Sequence, residues 1–156
     1  MISVSNQIRI NKPIKVVFNF LSEFENIPLW NYYVKEVKLI SIHNGNHRKY
    51  RQVRQSDSQI FEVLEEQFPD CIVIRTTDES RIGFKRSFRL RYDHLNNCIL
   101  EDHFEIDFGF SQIFQLTFKT KIRKSVKENL VKLKELLELG DTVLQDGRVS
   151  KLNLQY

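Results

Sequence analysis

Apolar and polar positions alternate with period two from Ser3 to Ile10, with Val4, Asn6, Ile8 and Ile10 on one side and Ser5, Gln7 and Arg9 on the other. This predicts a first strand. Asn11-Lys12-Pro13 ends it, with Asn11 expected as a helix cap and Pro13 in the first turn. Ile14, Val17, Phe18 and Leu21 then recur at i, i+3, i+4 and i+7, the spacing of one buried helix face. Ser22 and Glu25 have capping-box spacing, and Leu29, Trp30, Tyr33, Val34 and Val37 predict a second short helix that runs into a strand from Glu36 to His43.

Asn44-Gly45-Asn46 is a hairpin signal, because tight turns need positive φ, which Asn and Gly tolerate. Five strand-like runs follow: His47 to Gln55, Ser58 to Gln67, Cys71 to Thr77, Phe84 to Tyr92, and Cys98 to Phe108. Sequential antiparallel pairing is the simplest arrangement for them. After Phe110 the period changes. Phe114, Phe118, Ile122, Val126, Leu130, Leu133 and Leu137 step by threes and fours, with Gly140 as a stop, which predicts a long helix on the order of 42 Å. With no internal repeat or linker, the expectation is one domain over 2–139 and a loosely attached polar tail over 140–156.

Composition narrows the class. A chain of 156 residues, 41% apolar and 28% charged, removes roughly two-thirds of its unfolded surface from water on folding and needs neither metal nor disulfide to hold a core. Two cysteines, Cys71 and Cys98, fit free thiols in a reducing cytoplasm. No apolar run approaches the roughly 20 residues of a bilayer span, so integral membrane association is not expected. A formal net charge of +4 raises nucleic acid and anionic membrane surfaces as partners. Against this, Lys85, Arg89 and Arg91 are expected beside Glu101, Glu105 and Asp107 across a hairpin, and the lysines of the long helix fall on its solvent side. With no RNP-type aromatic motif or Gly-rich phosphate loop, nucleic acid is not the expected partner.

Candidate chemistry is sparse. His43 and His47 flank a turn with no third ligand nearby, so no metal site is expected. Cys71, Cys98, His94 and His103 are too scattered to add ligands to that pair, and ordinary small buried cysteines are expected in place of a thiol activated by a neighbouring base. One anomaly stands out. Phe84, Arg86, Phe88, Leu90 and Tyr92 share a strand face, as do Cys98, Leu100, Asp102, Phe104, Ile106 and Phe108, so each apolar face holds a single charge. A turn centred near Leu95 sets residue 88 opposite 102 and 86 opposite 104, making Arg86 and Asp102 diagonal neighbours. Glu62 joins them if Ile60, Glu62 and Leu64 face inward; the opposite parity, with Phe61, Val63 and Glu65 inward, fits equally well. The pair is either a self-satisfied ion pair or the polar anchor of a ligand.

The element order, together with Pro13 to Ser22, Ile27-Pro28-Leu29-Trp30 and Val34 to Val37, resembles the START-like helix-grip (SRPBCC) superfamily, in particular its polyketide cyclase/dehydrase-like members. Glu65 to Pro69, Phe84 to Phe88 and Asn129 to Lys134 match more loosely. The resemblance implies an α+β helix-grip fold: a curved antiparallel sheet of about seven strands wrapped around the long helix, enclosing a cavity for a lipid, sterol, polyketide or quinone. It implies a ligand-binding set of Trp30, Tyr33, Phe84, Arg86, Phe88, Tyr92, Asp102, Phe104, Phe118, Ile122 and Val126, and no cofactor. Binding without covalent chemistry is the first expectation. A cyclase or dehydratase using Arg86, Asp102 and either Glu62 or Tyr92 is the second, and a protein-interaction module with a filled cavity is the third.

Overall fold

Five antiparallel reversals in succession lay down most of one sheet. In the computed structural model, which describes residues 1–44, 47–109 and 112–153, β1 (Ile2–Ile10) leads into α1 (Ile14–Ser22), a 3-10 turn over Phe24–Asn26 and the single-turn α2 (Ile27–Trp30). Then come β2 (Val34–His43), β3 (His47–Arg54), β4 (Ser58–Gln67), β5 (Cys71–Thr76), β6 (Gly83–Tyr92) and β7 (Cys98–Asp107). The long α3 (Gln112–Leu139) and a terminal pair, β8 (Asp141–Val143) and β9 (Val149–Lys151), complete the chain. The seven-stranded sheet has the order β1-β7-β6-β5-β4-β3-β2 and is antiparallel throughout. Asn44 takes φ of 49° at the predicted hairpin; Gly45 and Asn46 lie outside the described residues.

The turn between β6 and β7 fixes the register that matters most. The Asp93 carboxylate accepts the backbone N–H of Leu95 at 2.8 Å and of Asn97 at 2.9 Å, while Asn96 adopts φ of 60°. Pairing therefore runs from Tyr92 opposite Cys98 to Gly83 opposite Asp107, with Phe88 opposite Asp102 and Arg86 opposite Phe104. Register shifts between Val34 and Glu36, Leu39 and Ser41, and Val63 and Glu65 add bulges that bend the sheet around α3.

Val126, Leu130, Leu133 and Leu137 of α3, joined by Leu136, are buried against this concave face. Phe114, expected on the same stripe, is 61% exposed. The helix outruns its sheet: 28 residues extend about 42 Å, whereas the ten residues of β6 or β7 cover about 33 Å. Its first turns stand clear.

Other local expectations change. Pro13, not Asn11, occupies the cap position of α1, and its carbonyl accepts Val16 N–H at 3.0 Å. The Ser22 hydroxyl donates back to the Asn19 carbonyl at 3.1 Å, closing α1 instead of opening the next helix. Tyr33 and Val37 lie beyond α2, because the chain is already extended at Asn31 and β2 begins at Val34. Gly140, at φ of 85°, stops α3 as predicted. From Asp141 to Lys151 the segment after it is not loose: β8 and β9 form a hairpin, Leu144 is buried, and the Thr142 hydroxyl donates to Glu135 at 2.5 Å.

Candidate functional site

The inner face of the sheet, the middle of α3 and the α2–β2 corner do not close on one another completely. Between them lies a cavity of about 310 Å³. Its walls are mainly apolar: Trp30 and Val34 from the corner, Ile74, Phe84, Phe88, Phe104 and Ile106 from the sheet, Phe108 from the loop after it, and Phe118, Ile122 and Val126 from α3. Period-two alternation supplies the sheet residues and the threes-and-fours spacing supplies those of the helix. Phe108 and Phe118, with ring centres 6.4 Å apart, stand together at one end.

Arg86 is the buried charged group of the wall; Arg54 and the exposed Lys121 also line it. Its Nε donates to one Asp102 carboxylate oxygen at 2.9 Å and its Nη2 to the other at 2.6 Å, with Arg86 and Asp102 only 8% and 1% exposed. The guanidinium carbon also lies 5.3 Å from the Trp30 ring centre, 4.8 Å from that of Phe88 and 5.5 Å from that of Phe104. A bidentate carboxylate and three ring faces offset the cost of removing the cation from water. Asp102 uses Nε and Nη2; Nη1 is the guanidinium nitrogen it leaves unengaged.

Further polar groups complete the lining. Gln52 and Gln59 are directly paired across β3 and β4; the Gln52 amide donates to the Gln59 carbonyl oxygen at 3.2 Å, and Gln59 donates to the Ile82 carbonyl at 3.1 Å. The Tyr33 hydroxyl donates to the Ser125 hydroxyl at 3.0 Å, tying the α2–β2 corner to α3. Asn129 donates to Asn31 at 3.1 Å and accepts from the Tyr32 backbone at 3.4 Å and from Gln145 at 3.2 Å, so the terminal hairpin braces the same corner. Arg54 is held by Asp57 through bonds of 2.7 and 2.8 Å, and its guanidinium holds the Asp57 carboxyl below the usual carboxylate range.

Trp30, Tyr33, Phe84, Arg86, Phe88, Phe104, Phe118, Ile122 and Val126 all line the cavity. Tyr92 and Asp102, expected in this set, and Glu62, whose parity the sequence left open, do not line it. Tyr92 keeps the inward parity but sits four residues beyond Phe88, about 13 Å along the strand, and is half exposed at the far end of the sheet. Asp102 faces inward but is not part of the cavity wall, since Arg86 covers and occupies its carboxylate. Glu62 points outward, because Phe61 and Val63 take the core. There it accepts from Arg75 at 2.8 Å and is joined by His47 at 2.8 Å; the bond from Arg75, then that from His47, outweigh partial burial and lower its pKa.

The expected outer-face charge pairing is partial. Lys85 lies opposite Glu105 and Arg89 opposite Glu101, but the ion pair that forms is diagonal, Arg91 to Glu101 at 3.4 Å. Burial pushes the Cys98 thiol up to about 12, which disfavours the thiolate. Sequence reasoning passed over Asn31, Gln52, Gln59, Ser125 and Asn129. Asn129 was the most accessible of these, since it shares the helix face of Val126 and Leu133.

Comparison with known proteins agrees with this architecture. The family model described as polyketide cyclase / dehydrase and lipid transport matches residues 1–138. The chain belongs to that family. No curated protein matches its sequence. Among solved structures, a START superfamily protein from Mycobacterium smegmatis is similar at 16% identity and a TM-score of 0.68, covering 86% of this chain and 98% of its own. A Deinococcus radiodurans protein gives 14% identity and 0.68, covering 90% and 99%, and a hypothetical protein from Helicobacter pylori gives 10% and 0.70, covering 85% of each. At such identities the likeness is one of fold: this polyketide cyclase/dehydrase family member has the START-like helix grip, and its chemistry has to be read from its own cavity.

Proposed function

We propose that the protein binds a small, largely apolar molecule with one polar end and performs no covalent chemistry on it. The observation that carries this reading is the cavity of about 310 Å³, walled mainly by aromatic and aliphatic side chains, in which the buried cation Arg86 is already neutralised by Asp102. Its volume is at the small end of the ligand-site range. Because Asp102 compensates Arg86, the polar end that suits the site is an uncharged acceptor, a carbonyl or hydroxyl oxygen, met by Arg86 Nη1 and the Gln52–Gln59 amides. A quinone, polyketide or sterol carries such a group; a fatty-acid carboxylate would have to compete with Asp102 for Arg86 and with Asp57 for Arg54, which leaves it the solvent-exposed Lys121.

The cyclase or dehydratase reading takes second place because a proton has to be moved at the cavity, and both Glu62 and Tyr92 lie away from it. The interaction module requires a filled interior. Titrating quinones, sterols and aromatic polyketides against Trp30 fluorescence and thermal unfolding tests the proposal. At a hundredfold excess over Kd, one bound ligand should add about 2.7 kcal/mol and raise the melting temperature by about 5–10 °C. A panel in which nothing changes either signal, or in which fatty-acid anions bind best, overturns it.

A further inference from the structure

The first turns of α3 carry apolar side chains into solvent. Ile113 is 82% exposed, Phe114 61% and Leu116 74%. At about 100° per residue, Ile113 points away from the Val126–Leu133 stripe while Phe114 and Leu116 fall on its two flanks, so this end of the helix is apolar around most of its circumference. Directly behind it come Lys119, Lys121, Arg123, Lys124 and Lys127, spread around the helix. There is no Asp or Glu between Phe108 and Lys127. Those five cations exceed the formal net charge of the whole chain, +4.

An apolar end followed by a cationic collar matches the layering of an anionic bilayer, with its acyl boundary below its phosphates. From Ile113 to Phe118 the helix advances about 7.5 Å, comparable with the 5–10 Å by which apolar faces enter the headgroup boundary. We propose that this end of α3 docks peripherally on anionic membranes, with Ile113, Phe114 and Leu116 entering the interface and Lys119, Lys121, Arg123 and Lys124 meeting lipid phosphates. Charge favours this occupant over a second copy, because a two-fold contact through the same end would set two cationic collars against each other. No helix among the described residues is long and apolar enough to cross a membrane, so the contact is a surface one. Phe118 and Lys121 also line the cavity, which places its Phe108–Phe118 end towards the docked face. The proposal does not depend on what the cavity holds.

Flotation of the full chain with phosphatidylcholine vesicles and with mixed phosphatidylcholine/phosphatidylglycerol vesicles tests it. Binding should require phosphatidylglycerol and fall as salt screens the collar. Replacing Lys121 and Lys124 with Gln should weaken partitioning by roughly thirtyfold, about fivefold per charge. The variant Ile113→Ser/Phe114→Ser/Leu116→Ser should lose at least about tenfold while melting like the parent, since the removed groups are exposed. In an otherwise unaltered chain, Phe114→Trp should give a blue-shifted emission component on anionic vesicles only. Absence of binding to anionic vesicles, equal binding to neutral ones, or undiminished binding by the Ser variant overturns the proposal. So does self-association by sedimentation velocity that the Ser variant abolishes without any vesicle binding.

Discussion

Arg86 on β6 and Asp102 on β7 are diagonal neighbours whose side chains meet through two parallel hydrogen bonds of 2.9 and 2.6 Å, at inward positions of two strands that otherwise turn apolar residues inward. Neither residue is tolerable there alone. Removing either should leave an uncompensated buried charge and cost about 3–5 kcal/mol, whereas Arg91→Ala at the exposed Arg91–Glu101 pair should cost about 1 kcal/mol or less. Arg86→Met combined with Asp102→Leu should recover much of the loss in urea denaturation. Additive single losses would show that the two side chains are not coupled. If the double variant folds and still binds neutral carbonyl ligands as the parent does, the pair is structural and does not orient a ligand.

The helix phase is tested by one chemical change at two burials. Leu133 is fully buried under the sheet and Leu139, at the end of the same helix, is 74% exposed. Leu133→Ala should cost about 2–5 kcal/mol in equilibrium unfolding and Leu139→Ala about 0.5 kcal/mol or less. Similar losses at both positions would contradict the packing of α3.

Asn129 links α3, the α2–β2 corner and the terminal hairpin, and it is buried. Asn129→Ala strands the partners of three hydrogen bonds and should cost about 1–3 kcal/mol. Hydrogen exchange should then speed up at Tyr32 and through 141–151 while β4 and β5 keep their protection. A uniform increase across the sheet would mean that the hairpin is not braced through this side chain.

Acid should destabilise the fold in a defined way. Hydrogen bonds from Arg75 to Glu62 and from Arg54 to Asp57 lower both carboxyl pKa values in the folded state. Their stabilisation is therefore complete above the unfolded-state values and is lost as pH falls through the lowered folded ones. Urea midpoints measured downward from neutral pH should fall below the ordinary carboxylate range, and Arg75→Gln with Arg54→Gln should flatten that fall. A midpoint that rises on acidification, or an unchanged slope in the double variant, would refute these two couplings.

Much of the molecule was legible along the chain because its signals are local. Alternation gave every strand of the main sheet within one or two residues, the threes-and-fours spacing and Gly140 bounded α3, and the Asp93–Asn97 turn was enough to fix the register that brings Arg86 to Asp102. Sequence could not choose between the two parities around Glu62, because Ile60 and Leu64 are as apolar as Phe61 and Val63. The choice comes from what β4 packs on, Phe61 meeting Phe24 and Phe84 at 5.6 and 6.4 Å between ring centres, with a bulge at Leu64 changing the phase beyond it. Nor could it exclude Tyr92, since alternation tells which face a residue shares but not how far along the strand the covering helix leaves a gap. The amide lining of the cavity, the bracing of the terminal hairpin by Asn129 and the exposure of Phe114 depend on contacts between segments distant in sequence. Period and propensity are set by neighbours a few residues apart, whereas a cavity is whatever volume those long-range packings fail to fill, so only the assembled sheet and helix decided where it lies and what faces it.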